Sequence, residues 1–269
     1  HAWSYNLKGQ LKAAPHIGGT NQHKPAGFNF SEHGLKPIRI HIWHDWIFLN
    51  FNGKAKKFEE YAKPLIKRFN DIDLTKLKYV ATLDFGKINT NWKFLIENFI
   101  EPYHVQFVHK TTTNQPLKDH YTFVDGKCYG SGIDVEKEDA KNGSALSVTS
   151  RYLSLFPNFI IGTYFPNQVG VYLNIPISPG VTSQKRIIYT TDSKEMTKKE
   201  IQTTKDIWWS VHKEDHEICE RLQEGRSSPA SHSGGLLSPI WEKGVQAFQK
   251  LIINSINKSF KIKRRVKNV

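Results

Sequence analysis

Apolar residues alternate with polar residues in several short segments of the chain, which is typical of half-buried β-strands. In the segment 38–51, Ile38, Ile40 and Ile42 alternate with polar neighbours, and a more uniformly apolar run follows Asp45. This segment predicts two strands on either side of Asp45. A strand is also predicted at 77–84. Between Cys128 and Asp192, antiparallel strands bounded by Gly, Pro or Asn are predicted at 146–155, 159–165, 170–177 and 184–191.

A helical spacing of apolar residues predicts helices at 58–69, 91–103, 198–224 and 239–256. The third opens with the capping box Thr197-x-x-Glu200 and closes at Gly225. Strands followed by long helices predict an α+β fold. We expect the helix at 91–103 to lie against the sheet and the helix at 198–224 to close over it.

Chain length, cysteine usage and hydropathy limit the classes of protein. The 269 residues suffice for one large domain, or for one domain and part of another. Two isolated cysteines argue against a disulfide framework, and we expect a reducing compartment, the cytoplasm. No signal peptide is visible, and no apolar run is long enough to span a membrane. Position 1 is a histidine and the one methionine is Met196, so we expect a truncated or processed N-terminus.

The net charge of +13 raises the question of nucleic acid as a partner. The lysines are scattered, however, and basic residues are dense only at 258–267. We expect this segment to be a solvated end, so a nucleic-acid partner is not favoured. A generally basic surface suits the docking of an acidic electron-transfer partner.

The stretch 91–109 concentrates residues that can hold a metal ion. Glu97, Glu101 and His104 follow at i, i+4 and i+7, on one face of a helix. Pro102 interrupts that helix, which would let His104 and His109 point inward together from irregular backbone. Neutral imidazole is the commonest metal ligand, although one exposed and one buried structural histidine would give the same pattern.

An aspartate on an apolar helix face strengthens the metal interpretation. Trp208, Val211, Ile218 and Leu222 form one stripe of the helix at 198–224, and Asp215 fills the gap in it. A carboxylate there is costly unless it is paired, hydrogen-bonded or bound to a metal. A buried salt bridge would explain Asp215, and so would a site of two histidines and one carboxylate, which is typical of non-haem Fe(II) oxygenases. Its neighbour Glu214 lies off the stripe and is expected to be solvated.

Three segments carry a resemblance to a known family. Residues 91–109 resemble the iron-site signature N-W-K-x3-E-N-x2-E-x-Y-H-x4-H of Rieske ring-hydroxylating oxygenase alpha subunits, and every fixed residue of it is present. Residues 214–225 resemble the later segment that supplies the aspartate ligand. Residues 1–11 (HAWSYNLKGQL) resemble the end of the Rieske motif, in which His1 would be the second cluster histidine. The other cluster ligands, two cysteines and one histidine, would lie upstream.

The resemblance implies a domain organisation and a set of cofactors. Residues 1–50 would be the remnant of an all-β Rieske [2Fe–2S] domain. Residues 51–269 would be a catalytic domain with a helix-grip (Bet v 1/START-like) antiparallel sheet and long helices. A mononuclear Fe(II) would be held by His104, His109 and Asp215. Glu101 would carry electrons between the cluster and this iron, and Asn98 is placed with it in the catalytic machinery.

The resemblance also implies an activity and partners. The activity would be mono- or dioxygenation of an organic substrate with O2, as in aromatic hydrocarbon catabolism. The electrons would come from NAD(P)H through a reductase and in some cases a ferredoxin. The assembly would be a head-to-tail homotrimer or an α3β3 complex. With three cluster ligands missing, we expect no turnover from this fragment alone.

The substrate and two alternatives remain open. Aromatic candidates for the pocket wall, in 156–165 and at Phe107, Tyr172 and Trp208, suit either a flat ring or a quaternary ammonium. The signature is similar to the choline- and carnitine-type monooxygenase branch. A non-catalytic helix-grip protein that binds a hydrophobic ligand would share the fold. A zinc hydrolase could use the same three ligands, with Glu101 as general base.

Overall fold

The computed structural model describes residues 1–113, 115–133, 150–164 and 167–266, with side chains described as far as Ser259. The chain separates into two compact units, His1–Phe58 and Glu59–Val269. In the first unit, strands β1 and β2 form one antiparallel pair, and β3 and β4 form another. The bounds are Ser4–Tyr5 for β1, Leu11–Ala13 for β2, Arg39–Trp43 for β3 and Trp46–Asn50 for β4. The prediction of two strands around Asp45 is confirmed.

The second unit contains a seven-stranded antiparallel sheet in the order β5-β11-β10-β9-β8-β7-β6. Every neighbour from β6 to β11 is also a neighbour in sequence, and β5 closes the edge beside β11. The bounds are Lys78–Ile88 (β5), His120–Asp125 (β6), Cys128–Ile133 (β7), Ser150–Leu155 (β8), Phe159–Tyr164 (β9), Gln168–Ser178 (β10) and Val181–Thr190 (β11).

Three helices, α3, α5 and α6, pack over one face of this sheet, and this position was predicted for α3 and α5. Ile96 and Ile100 of α3 and Phe248 of α6 form one core cluster with Ile160 on β9. Trp208 of α5 packs in a second cluster with residues of β5, β9 and β11. The helices are α1 Phe58–Tyr61, α2 Lys63–Lys67, α3 Trp92–Ile100, α4 Val105–Val108, α5 Lys198–Ser227 and α6 Lys243–Val266.

Several element boundaries differ from the predictions for local reasons. The helix predicted at 58–69 is two short helices, because Pro64 in the first turn of α2 starts a new helix. The helix predicted at 91–103 stops at Ile100, and the one predicted at 239–256 runs from Lys243 to Val266. Strand β6 was not predicted. Its local signals are the aromatic and β-branched run Tyr121–Val124 and the tight turn at Gly126, which has a positive φ.

Some predicted features lie outside the described residues. These are residues 146–149 and Phe165 of two predicted strands, and the side chains of most of the basic segment 258–267. Among the described residues, no helix combines the length and apolarity that crossing a bilayer requires.

Candidate metal centre and adjoining pocket

The end of α3 places the two histidines. Asn91 caps the start of this helix, where its side chain accepts a hydrogen bond from the Lys93 N–H. The helix ends before Pro102, and Glu101 adopts an extended backbone conformation. The Glu101 carboxylate then accepts the backbone N–H groups of Tyr103 and His104, which holds the turn that follows. His104 and His109 therefore stand at the two ends of the short helix α4.

The long helix α5 supplies the carboxylate of the cluster. Asp215 Oδ1 lies 3.1 Å from His109 Nε2 and 3.6 Å from His104 Nε2. The three ligand atoms all lie within 4.8 Å of one another. Two imidazole nitrogens and one carboxylate oxygen that converge in this way form the donor set of a facial triad. The structure thus brings together the three residues predicted as metal ligands.

Each imidazole is held from behind by a different carboxylate. His104 Nδ1 lies 2.6 Å from Glu101 Oε1, and His109 Nδ1 lies 2.8 Å from Glu214 Oε2. Two threonine hydroxyls, those of Thr111 and Thr112, donate to Glu214 in turn. A carboxylate on Nδ1 fixes the tautomer, so the Nε2 lone pair of each ring faces the centre. This arrangement fits a metal ion.

Glu214 is therefore not the solvated residue that the sequence predicts. Its side chain is only a quarter exposed and forms part of the support of His109. The helical stripe could not show this, because the partners of Glu214 come from a loop about one hundred residues earlier in the chain.

Asn98 and Glu97 point to different places, although they are adjacent. Asn98 Nδ2 donates to Asp215 Oδ1 at 2.8 Å, which places Asn98 beside the predicted ligands. Glu97 instead accepts a hydrogen bond from Gln249 on α6 at 3.1 Å, and burial raises its pKa. The predicted common face of Glu97, Glu101 and His104 is therefore wrong, because the helix ends before Glu101.

The electrostatics of the cluster favour a cation at its centre. Burial alone would lower the pKa of His109, but Asp215 and Glu214 outweigh burial and raise it to about 9. Burial opposes the charged form of His104 as well, yet the Glu101 and Asp215 carboxylates raise its pKa. Burial would raise the pKa of Asp215, and the histidines hold it well below its usual range. A divalent metal ion would satisfy the same acceptors once the histidines are deprotonated.

The apolar stripe predicted on α5 is only partly buried. Trp208 is buried, but Ile218 is 38% exposed and Leu222 is 43% exposed. The buried face passes instead through Thr204, Trp208, His212 and Cys219. Asp215 lies within a turn of this face and beside the two histidines, although two members of the predicted stripe lie outside the core.

A cavity adjoins the three ligand residues. Its aromatic wall includes Tyr164, Tyr172 and Trp208, three of the predicted candidates. Phe107 does not line it and is 58% exposed, and Phe156 packs against the core cluster around α6 instead. Tyr152 and Phe99, which were not predicted, complete the wall.

Sequence reasoning also missed a buried cation behind this wall. Arg186 on β11 is completely buried, and its guanidinium lies against Tyr164, Tyr172 and Trp208. The one available signal was its position between Gln184 and Ile188, which share the inward face of the strand by period two.

His1 lies at the exposed start of the first unit. The predicted link between Glu101 and a cluster histidine therefore remains a prediction.

This chain covers only part of the length of the known proteins to which it is similar. Choline monooxygenase from Atriplex hortensis is 25% identical over 255 residues, which cover 92% of this chain and 56% of that protein. The alpha 2 subunit of the terephthalate 1,2-dioxygenase terminal oxygenase component from Comamonas sp is 26% identical over 298 residues, which cover 93% of this chain and 72% of that protein. The chain thus spans about half the length of the choline monooxygenase.

Similarity in structure and a family model bear on the fold and the family. A solved structure of a quaternary ammonium Rieske monooxygenase superposes with a TM-score of 0.74 at 19% identity, covering 94% of this chain and 70% of that one. At this identity the likeness concerns the fold alone. The model of the ring hydroxylating alpha subunit (catalytic domain) matches residues 67–257, which is more than half of the chain. The chain therefore belongs to the ring-hydroxylating alpha subunit family and carries its catalytic domain.

Proposed function

We propose that this chain is the catalytic part of a Rieske-type oxygenase alpha subunit, an oxidoreductase that hydroxylates a small organic or aromatic substrate. The observation that carries the proposal is the convergence of His104 Nε2, His109 Nε2 and Asp215 Oδ1 beside an aromatic cavity. The family membership supports it, and so do the names of the relatives, which are mono- and dioxygenases.

Each residue of the centre has a distinct part in this function. A mononuclear iron bound by the three ligands would supply the reduction and activation of O2. Glu101 and Glu214 hold the two imidazoles in the orientation and tautomer that a metal requires. Asn98 donates to Asp215 and so keeps that carboxylate in place. The aromatic wall positions the substrate and excludes water.

The proposal extends to the electron path and the assembly. Residues 1–50 would be the end of a Rieske domain with His1 as a [2Fe–2S] ligand, and residues 51–269 a helix-grip catalytic domain. Glu101 would carry the electron from a neighbouring subunit's cluster in a homotrimer or α3β3 complex. NAD(P)H would supply the electrons through a reductase, with or without a ferredoxin.

Changing Glu101 to Gln in the complete protein should leave iron bound, because the Gln side-chain oxygen can still accept a hydrogen bond from His104 Nδ1. Electron delivery should become slower.

The cellular location belongs to the same proposal. Cys128 and Cys219 are both free and buried, which supports a reducing compartment, and we propose the cytoplasm.

A non-catalytic carrier with the same fold is the less supported alternative. A carrier of hydrophobic ligands has no need for two histidines that are each held by a carboxylate and share an aspartate. Such a cluster costs free energy in a ligand pocket unless a metal or a proton balances it.

Metal occupancy tests the proposed function. The chain is loaded anaerobically with Fe(II), desalted and analysed for bound iron, in parallel with His104→Ala and Asp215→Ala. We expect one bound iron per chain in the unchanged protein and loss of iron in both variants. His232→Ala and Asp206→Ala, which alter exposed residues, are the matched controls and should keep iron. Iron retained in both ligand variants would contradict the assignment. Selective zinc binding would favour a hydrolase.

A further inference from the structure

Arg186 sits inside a cage of three aromatic rings. It is 0% exposed and faces inward from β11, directly opposite Tyr172 on β10. Its guanidinium carbon lies 3.3 Å from the centroid of the Trp208 ring, and 4.8 Å and 4.9 Å from those of Tyr164 and Tyr172. These are cation–π distances, so the side chain of the protein itself fills a cage that could otherwise receive a cationic ligand.

The guanidinium is only partly satisfied by protein atoms. Nη1 donates to the Tyr172 hydroxyl and lies 3.3 Å from His212 Nε2. Nε and Nη2 have no hydrogen-bond partner among the described residues. None of the ion pairs found among the described residues includes Arg186. A buried charge that has no counter-ion among these residues is costly, so its place beside the cavity calls for an explanation.

The sheet makes room for this arrangement with two glycines. Gly162 on β9 and Gly170 on β10 are paired in register beneath the cage. A Cβ on Gly170 would lie 2.8 Å from Arg186 Nη2, and a Cβ on Gly162 would lie 2.3 Å from the Tyr164 hydroxyl. Larger residues at either place would displace the groups above them.

The cage is also part of the cavity wall beside the metal ligands. Tyr164, Tyr172, Trp208 and His212 all contact Arg186, and all four line the cavity. The two tyrosine hydroxyls lie 3.0 Å apart. Because Arg186 donates to the Tyr172 oxygen, the hydroxyl pair presents a hydrogen-bond donor that is backed by a positive charge. Such a surface attracts an anion and repels a cation.

We propose that Arg186 determines the charge class of the substrate. The cavity takes a small organic carboxylate, which accepts the one free hydroxyl hydrogen of the Tyr164–Tyr172 pair with Arg186 behind it. It rejects a quaternary ammonium, because the aromatic cage is already occupied by the guanidinium. This inference rests on the proposed function, since it treats the cavity as the substrate pocket of that same centre.

Binding of three ring compounds that differ in charge tests the proposal, and two of them, benzoate and benzamide, have nearly the same shape. Benzoate, benzamide and benzyltrimethylammonium are titrated into the full chain by calorimetry. The chain is first stripped of metal, because a carboxylate could otherwise bind the metal directly. We expect benzoate to bind at least roughly tenfold more tightly than benzamide, as a charge-assisted hydrogen bond implies, and no measurable binding of the ammonium compound. Benzamide binding as tight as benzoate, or preference for the ammonium, would overturn it.

Two substitutions on one strand separate Arg186 from general charge. Arg186→Ala should abolish the preference for benzoate and let benzyltrimethylammonium bind in the vacated cage. Lys185→Ala removes the same charge from the adjacent residue, which pairs with Asp84 on the other face of the sheet, and should change neither. An equal loss of benzoate binding in both variants would contradict the assignment. If Arg186→Ala does not fold, Tyr172→Phe, which removes the hydroxyl that accepts from Arg186, is measured instead and should lower the preference for benzoate; an unchanged preference would overturn the proposal.

Iron content, measured on a portion of each preparation that is reloaded anaerobically with Fe(II) and desalted, separates this inference from the proposed function. A chain that binds iron but not benzoate overturns the charge class and leaves the oxygenase proposal standing. A chain that prefers benzoate but never retains iron supports the charge class and removes the oxygenase proposal.

Discussion

At the scale of single residues, the candidate centre depends on carboxylates that do not themselves face the metal position. Glu101 and Glu214 come from different parts of the chain, yet each takes the Nδ1 of one histidine. Glu214 is further held by two threonine hydroxyls from the loop after His109. The orientation of both rings is therefore fixed before any ion arrives.

Removing the support of His109 should weaken metal binding without removing a ligand. Glu214→Ala leaves the Nδ1 of His109 without its acceptor, and we expect the affinity for Fe(II) or Zn(II) to fall by roughly 10- to 100-fold. Glu217→Ala, an exposed glutamate on the same helix, is the control and should bind as the unchanged chain does. Metal titration with a competing chelator measures both. Equal affinities would show that Glu214 has no part in the centre.

The raised pKa of His109 predicts opposite pH dependences for stability and for metal binding. A pKa of about 9, against 6.5 for an ordinary histidine, means that its protonated form stabilises the metal-free fold. This contribution is complete below about pH 6.5 and is lost as the pH rises through about 9. Zinc affinity should increase over the same interval, because bound metal replaces the proton.

Urea unfolding of the metal-stripped chain and zinc titration measure these two trends. His109→Gln should remove most of the decrease in the free energy of unfolding between those pH values. A stability that rises with pH in this interval would contradict the assigned ion pairs.

The sequence made some of these residues predictable and concealed others. Asp215 could be found because an acid near a buried helix face stands out against its apolar neighbours. Glu214 and Arg186 could not, because what distinguishes them is a partner, or the lack of one, far away in sequence. The tertiary fold alone decides whether a charged side chain next to a buried position is solvated, supported or enclosed.

At the scale of elements, the local sequence predicted the presence of the long helices and the start of α5 better than the residues at which α3 and α5 end. The capping box at Thr197 and Glu200 is formed as predicted, and it starts α5 at Lys198. The helix was predicted to end at Gly225, but it continues to Ser227. Pro102 was predicted to interrupt the helix before His104. The helix in fact ends at Ile100, so Glu101 already has an extended backbone.

The cap of α5 gives a stability prediction for the helix that carries Asp215. Thr197→Ala removes the hydroxyl that accepts the Glu200 N–H, and we expect a loss of about 1 kcal/mol in the free energy of unfolding. Thr203→Ala, at an exposed position inside the same helix, should be neutral or slightly stabilising, since alanine favours the helix. Urea denaturation monitored by circular dichroism measures both. A Thr197→Ala variant as stable as Thr203→Ala would contradict the role of the cap.

At the scale of the whole molecule, the candidate centre belongs entirely to one of the two units. The three ligand residues, their carboxylate supports and the cavity wall all lie in Glu59–Val269. This unit has its own seven-stranded sheet and its own core clusters. The sequence predicted the α+β arrangement because a period of two and a helical period are local signals, whereas the order of the strands is a property of the complete sheet.

Separation of the two units gives a prediction for the truncated chain. Residues 59–269 alone should unfold cooperatively and bind one equivalent of Fe(II) or Zn(II) with the affinity of the full chain, because no ligand is removed. His104→Ala in the truncated chain is the control and should not bind. Calorimetry and metal titration measure the two properties. Binding that requires residues 1–58 would show that the first unit contributes to the centre.

The start of α3 is fastened to the last turns of α5 by three hydrogen bonds. Glu220 and Gln223 side chains accept the N–H groups of Asn89 and Asn91, and the Thr90 hydroxyl donates to the Cys219 carbonyl. These hydrogen bonds fix the position of α3, which leads to the two histidines, relative to α5, which carries Asp215. Because the separation of the ligand residues is set in this way, the conformational entropy of assembling them is lost during folding rather than on metal binding. Changes at these hydrogen bonds, about one helical turn from Asp215, should consequently alter the metal selectivity of the centre, because the separation of the ligands decides which ionic radius fits.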